Sequence, residues 1–432
     1  MKHLAHIRVV GLFGLFDHEI TLSDEPNPTI LSGPNGSGKT HTLRLIKAIF
    51  DLDLRHLLNT PYDSLRLVFQ KGEVLNVRRI AGKNGGVHAL SFDGQSTRTK
   101  YESVHIGAKQ INETTRGVRS KYFTSDFYNR FAEVLQSETG ILQDSMEESF
   151  SEASNLIKST WLQNLVKTEV VIIDTKRLHV RPPGADTKTP ERGGMKKRSI
   201  LEAHLDRIDA LVAQSREASL KISQEIDQSF PMRILATDQG KARQRAASMT
   251  RLQKMYDDVH VLGAELHSNG LSTLPEFMEF PDRDLTALER RILTQFVQDW
   301  RKKFGPLLPV SERLKILREI LNAKLRMKKV EYHSSRGLEF LSMAGDAIPV
   351  NALSSGEQHL VVLFTSLLFS ARQGSIVLID EPEISMHAAW QHAFLDDISR
   401  VAQIQDLQVI LATHSTSIVN GNWNLVQEIG LR

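Results

Sequence analysis

Gly33-Pro34-Asn35-Gly36-Ser37-Gly38-Lys39-Thr40 is the stretch that decides the fold. It satisfies G-x-x-x-x-G-K-[ST] at every defined position. The apolar run Thr29-Ile30-Leu31 precedes it and the amphipathic run His41 to Phe50 comes after it, so a strand, a loop and a helix are expected in that order. Glycines let backbone N–H groups turn inward around phosphate oxygens, and the helix N-terminus adds the positive end of its dipole. In such a cradle Asn35, Gly36, Ser37 and Gly38 supply backbone. Lys39 reaches the β- and γ-phosphates, and the Thr40 hydroxyl is offered to Mg²⁺. The alternative is a chance glycine-rich turn, against which the agreement of motif and context argues.

The composition sets the limits within which this stretch operates. The 432 residues allow two or three domains, or one large domain with an insertion, and 41% apolar content permits a substantial core. A net charge of +3 and a pI near 8.9 make no global commitment to nucleic acid and leave a local basic patch open. The absence of cysteine excludes disulfides, thiolate metal sites and a thiol nucleophile, and it fits a reducing cytosol, so a cytoplasmic protein is expected. The N-terminal MKHLAHIRVVGLFGLF has no small-residue cleavage site and reads as a strand. No apolar run approaches the length of a membrane span, so no membrane partner is expected.

Around the loop, residues 3–22 alternate as a hairpin about Gly11 and Gly14, and residues 64–98 read as an antiparallel meander with turns at 71–73, 83–86 and 93–94. Residues 101–168 read as mostly helical, with an acidic run at 137–154 best taken as a solvated face. Glu169 to Asp174 is a continuous apolar run of the kind buried in parallel sheets, with Arg177 just past its end. Residues 181–199 form a basic Pro/Gly-rich linker, equally readable as a solvated loop or as a contact to phosphate backbone. From 200 to 328 the sequence is helical and charged. Its apolar stripes are too short and broken for a long coiled coil, with breaks at Pro231 and at Pro275 to Pro281. Short strands return at 329–333, 338–341 and 348–350.

Ser375-Ile376-Val377-Leu378-Ile379-Asp380-Glu381 is a buried strand that delivers two acids to its C-terminal edge. A helix is expected over 386–402. Leu407 to Ser415 is a second buried strand, ending at His414. Parallel strands ending at Ser32, Asp380 and His414 bring a phosphate cradle, an acid pair and a histidine to one sheet edge. Asp380 then partners Mg²⁺. Glu381 is the general base or water positioner, aimed away from Asp380 because successive strand residues leave in opposite directions. His414 is placed to hydrogen-bond a γ-phosphate.

With these residues in view, the chain resembles ABC-type ATPases. Leu353-Ser354-Ser355-Gly356-Glu357 resembles their signature motif, although Ser355 replaces the usual first glycine. Asp380-Glu381 resembles their Walker B acids, His414 their switch histidine, and Glu383 to His387 lies where their D-loop lies. Their lever glutamine has two candidates here, Gln70 and Gln163. More than three hundred residues separate Lys39 from Ser354, against roughly a hundred in transporters, so the resemblance is to the SMC, RecF and overcoming-lysogenisation-defect branch. It covers about 1–100 and 329–432.

The resemblance implies an α/β fold. The expected architecture is a P-loop NTPase head of ABC type, with a mixed sheet, flanking helices and an antiparallel β subdomain, carrying an inserted helical arm. The head would comprise 1–180 and 329–432, with the linker at 181–199 and the arm at 200–328. The resemblance also implies ATP and Mg²⁺ as ligands. Two heads would sandwich two ATP molecules, with Ser354 and the backbone of Gly356 meeting the γ-phosphate across the dimer. Eighteen residues after His414 leave no room for the TOPRIM nuclease of some relatives. The chain is similar instead to the stand-alone ATPase subunits of two-gene anti-phage systems such as Septu and PARIS. Those assemble as homo-oligomers of dimers and hold a separate nuclease of HNH or TOPRIM type. A RecF-like DNA-repair or DNA-clamping ATPase is the alternative, and a transporter motor is disfavoured by the insert.

Overall fold

The chain opens with β1 (Leu4–Leu12) and β2 (Phe16–Thr21), joined by the turn at Gly14, and then runs into β3 (Thr29–Ser32). These belong to a computed structural model that describes residues 3–23, 27–81, 87–96, 99–107, 165, 168–174, 200–238, 247–272 and 279–430. The linker at 181–199, the acidic run at 137–154, Arg177 and Gln163 lie outside the described residues. The chain divides into two compact units, 1–191 with 371–432, and 192–370.

In the first unit β3 leads to α1 (Lys39–Phe50) and α2 (Leu54–Asn59), then to β4 (Ser64–Phe69), β5 (Val74–Ala81), β6 (Val87–Ser96), β7 (Thr99–Gly107) and β8 (Val170–Asp174). Six strands form an antiparallel sheet in the order β2-β1-β4-β5-β6-β7. Residues 101–107 are therefore strand, not the start of a helical region. Val104 and Ile106 stand opposite Phe92 and Leu90, and this long-range pairing decides their conformation. One face of the sheet carries Ile7, Val9, Leu65, Leu67 and Phe69, all buried. They share one apolar cluster with Leu43, Leu45, Ile46 and Ile49 of α1 and with residues of the parallel strands described below.

The second unit contains α3 (Ile200–Asp238), α4 (Met249–Ser268), α5 (Ala287–Phe304) and α6 (Leu308–Lys324), then β9 (Lys328–His333), β10 (Gly337–Ser342), β11 (Ala347–Ile348) and α7 (Ser355–Thr365). The arm expected at 200–328 lies within it, and the unit runs on to Ser370. Pro231 does not end the first helix. A proline removes one helical N–H and crowds the preceding turn. Here the carbonyls of Glu225 and Ile226 accept from Ser229 Oγ at 2.9 and 3.1 Å, and Arg233 donates to Ile226 O at 3.0 Å. Arg233 also makes a two-pronged bond to the buried Asp299 of α5, both contacts at 2.8 Å. The sequence 200–328 offers Leu220, Leu288 and Phe296 as apolar-stripe residues, yet all three are exposed, whereas Val297 and Phe304 carry the burial of α5.

The chain returns to the first unit with β12 (Ile376–Asp380), α8 (Ala388–Gln391), α9 (Phe394–Gln405), β13 (Gln408–Ala412), α10 (Thr416–Val419) and β14 (Val426–Glu428). The single helix expected at 386–402 is thus two. The second sheet has the order β14-β3-β13-β12-β8, and every adjacent pair is parallel. All five residues of β12 and of β13 are buried, which explains their uninterrupted apolar sequences. Asp380 at the end of β12 and Gln408 at the start of β13 are the polar exceptions. The Gln408 side-chain amide both accepts from Leu4 N and donates to Leu4 O, at 2.7 Å each, and so ties the first strand to the start of β13. Among the described residues no helix is long and apolar enough to cross a membrane.

Arg233→Met leaves the Asp299 carboxylate buried with only Gln295 donating to it. We expect a loss of about 3–5 kcal/mol in urea unfolding, with Asp299→Leu in the same background recovering much of it.

Candidate nucleotide-binding site

The geometry of the loop explains its glycines. Gly38 has φ 89°, and a Cβ there would stand 2.7 Å from Leu12 Cδ2 and 3.2 Å from His18 Cε1. At Gly33 the constraint is purely steric, because a Cβ would strike the Ile429 carbonyl. Ser37 N–H donates to Pro34 O at 3.2 Å, closing the turn. The Ser37 hydroxyl is buried with no hydrogen-bond partner among the described residues. Thr42 anchors the loop from below, donating to Gly38 O at 3.0 Å and meeting His18 Nδ1 at 2.9 Å. Burial pushes the His18 imidazole below its ordinary pKa, so it is a neutral support. No side chain caps the N-terminus of α1, so its leading N–H groups lack a side-chain acceptor.

Lys39 is 4% exposed. Its ammonium donates to Gly33 O at 2.8 Å and Pro34 O at 3.1 Å, and lies 3.4 Å from His414 Nδ1. Burial lowers its pKa, opposed by the nearby carboxylates of Glu381, Asp380 and Glu383. Thr40 Oγ1 donates to Asp380 Oδ1 at 3.0 Å. That separation matches the edge between neighbouring ligands of an octahedral Mg²⁺, about 3 Å for bonds of about 2.1 Å. A hydroxyl and a single carboxylate fit a cation whose remaining ligands are phosphate and water. Among the described residues no cluster of three or more His, Asp or Glu side chains is arranged to hold a metal alone.

The parallel registers place these groups. Asp380 pairs with Ala412, Ala412 pairs with Leu31, and the chain passes directly from Leu31 into the loop. Lys39, Thr40, Asp380 and His414, expected to converge, stand together here. Glu381 departs from expectation in one respect. It has left the strand, with φ 46° and ψ 56°, and its N–H donates to Ala412 O at 2.9 Å. Its direction comes from this left-handed turn, not from strand alternation. A non-glycine residue in that conformation stores strain of roughly 1–2 kcal/mol.

Two supporting contacts escaped the sequence. Glu383 Oε1 accepts from the backbone N–H of His414 at 2.8 Å, fixing the histidine loop to the segment after the acids. The second concerns Ser354 and Gly356, which belong to the second unit. Ser354 is the N-cap of α7 in a reciprocal capping box with Glu357, and both Glu357 oxygens meet Lys328 Nζ, at 2.6 and 2.7 Å. Ser354 as a residue is exposed. Gln70 sits in the β4–β5 turn, where its N–H donates to His3 O.

The first unit has an α/β P-loop fold. A family model described as AAA domain, putative AbiEii toxin, Type IV TA system matches residues 221–420, somewhat less than half of the chain and not including the phosphate loop. No curated protein sequence matches significantly. Similar solved structures include the Smc head domain with an extended coiled coil bound to the C-terminal domain of ScpA, from Pyrococcus furiosus. It has 13% identity and a TM-score of 0.39, over 100% of this chain and 94% of that one. An SmcHead bound to the C-winged helix domain of ScpA has 11% identity and a TM-score of 0.35, with 100% and 94% covered. The SMC head domain from Thermotoga maritima has 11% identity and a TM-score of 0.34, with 100% and 98% covered. At these scores the overall likeness carries no weight, and the P-loop description rests on strand order and loop geometry.

This geometry predicts two outcomes. Asparagine tolerates the left-handed conformation, so Glu381→Asn raises the melting temperature, by the equivalent of up to about 1 kcal/mol, while removing the carboxylate. Burial opposes ionisation of Glu357, but its bonds from Lys328 and Ser354 prevail and hold its pKa below the ordinary value. The capping contribution is therefore complete above the ordinary glutamate value of about 4.3 and is lost as pH falls through the lower folded value. In urea titrations the stability difference between wild type and Glu357→Gln shrinks over that acid window and is constant near neutrality.

Proposed function

We propose that the chain is an ATPase in which the loop at 33–40 holds the triphosphate. The observation that carries this reading is the Thr40–Asp380 contact at 3.0 Å, with Lys39 beside His414. Asn35, Gly36, Ser37 and Gly38 present backbone to the phosphates, and Lys39 exchanges its carbonyl partners for phosphate oxygens. Thr40 and Asp380 hold Mg²⁺, which supplies neutralisation of charge on the β- and γ-oxygens. Glu381 accepts the proton of the attacking water. His414 hydrogen-bonds the γ-phosphate, and Glu383 keeps its backbone in place. Ser354 and the Gly356 backbone act on the nucleotide of a second copy, so turnover requires a dimer.

The cellular role we propose is a sensor and scaffold, self-assembled into a higher homo-oligomer, that controls a separate HNH or TOPRIM nuclease in anti-phage defence. The toxin–antitoxin wording of the matched family supports a defence setting. The alternative is a RecF-like or SMC-like clamp on DNA. Duplex titrations at several salt concentrations separate the two: steeply salt-sensitive, ATP-dependent binding favours the clamp, and co-purification of a neighbouring nuclease without DNA binding favours defence.

The catalytic assignment is tested with three variants. Lys39→Ala loses ATP affinity in calorimetry. Glu381→Gln keeps affinity, slows phosphate release at least about a hundredfold, and accumulates as a dimer in light scattering with ATP. Ser354→Arg binds ATP yet stays monomeric. Unaltered ATP affinity in Lys39→Ala removes the cradle, and wild-type turnover in Glu381→Gln removes the base.

A further inference from the structure

The six-stranded sheet has a second face, turned away from α1. Residues of β1, β4 and β5 that alternate with the buried set point there. Arg8 is the cross-strand partner of Arg66, Arg66 of Asn76, and Asn76 of Asp93. In the neighbouring row Val10 pairs with Ser64, and Ser64 with Arg78. These seven residues line a concavity of about 380 Å³. Arg8, Arg66 and Arg78 are exposed.

Like charges directly opposite one another weaken a sheet. Arg8 and Arg66 are such a pair; Glu19 stands across from Arg8 on its other side, and no carboxylate stands across from Arg66. Asp93, the carboxylate of the concavity, is 3% exposed and already committed. It accepts from Arg78 at 2.7 Å, from Ser103 Oγ at 2.6 Å and from Ser91 Oγ at 3.3 Å. Glu19, across from Arg8, lies 3.1 Å from His6 Nε2. Among the described residues neither Arg8 nor Arg66 has a hydrogen-bond or ion-pair partner.

We propose that this concavity is a second phosphoryl-binding site, separated from the P-loop by the thickness of the sheet and its apolar layer. Guanidinium groups match phosphate oxygens in two-pronged geometry, and two of them with the Asn76 amide and the Ser64 hydroxyl provide charged and neutral donors in one place. The Asp93–Arg78 pair leaves the local charge positive without making it uniformly so. The dimensions suit one or two phosphate groups, supplied either by a nucleic-acid backbone crossing the sheet or by a free phosphate compound. The site stands independently of the nucleotide reading.

The test uses the full chain carrying Lys39→Ala, so that the P-loop does not compete. Probes are a 20-nucleotide single strand, a 20-base-pair duplex and inorganic pyrophosphate, titrated at 50 and 200 mM salt. With two phosphates neutralised, binding to a DNA probe weakens about tenfold between these salt concentrations. Arg8→Gln with Arg66→Gln abolishes that salt sensitivity and weakens binding about tenfold or more at low salt. Loss with the DNA probes assigns the site to a strand, and loss with pyrophosphate alone assigns it to a small phosphate. Asp93→Asn frees Arg78 and tightens binding several-fold, an effect that a damaged fold does not produce. Failure of all three probes to bind overturns the proposal, as does unchanged affinity in an arginine variant that melts like its parent. Should the double variant melt early, Asp93→Asn decides, and unchanged or weaker binding there is equally fatal.

Discussion

The in-register parallel pairing of β3, β13 and β12 is the constraint on which the site rests. Because the pairs run Leu31–Ala412 and Ala412–Asp380, all three strands end at one level, and the segment after each strand emerges at one edge. A slip of one residue displaces a strand end by about 3.3 Å and turns its side chains to the opposite face. The Thr40–Asp380 contact does not survive such a slip.

This explains which parts were legible in the sequence. The phosphate loop is local, so residues 33–40 carry their own signature, and uninterrupted apolar runs mark β12 and β13 without reference to any partner. Asp380 and His414 inherit their positions from those strands. The supporting polar contacts could not be read in the same way. Gln408 is bonded to Leu4, Glu383 to His414 and Glu357 to Lys328, and nothing in the spacing of either partner announces the other. Pro231 misleads because local propensity predicts a break, whereas the Arg233–Asp299 pair fastens the turn after the proline to α5. Residues 101–107 mislead because the partner strand, not composition, makes them extended.

Side-chain caps are absent where the phosphate loop meets its helix. Asp53, Ser248, Thr286, Ser354 and Ser415 each cap a helix with their own side chain. The start of α1 has Gly38 instead, and no side chain to offer. The donors left over there face a loop whose lysine is held in reserve by two carbonyls. Nearby, Glu381 adopts a backbone conformation that its residue type disfavours. Local stability is thus given up at the loop and at the acid turn.

The discontinuity of the first unit has a consequence for biosynthesis. β3 is completed at Ser32, yet its inner neighbour β13 ends at Ala412, and the whole second unit is made in between. At elongation speeds of about 5–20 residues per second, the nascent β3 and the apolar flank of α1 wait roughly 20–80 seconds for the strands that cover them. The ribosome therefore presents a half-built sheet for most of the time it spends on this message. The demand for holding factors is set by the order of segments along the chain, independently of how stable the finished protein is.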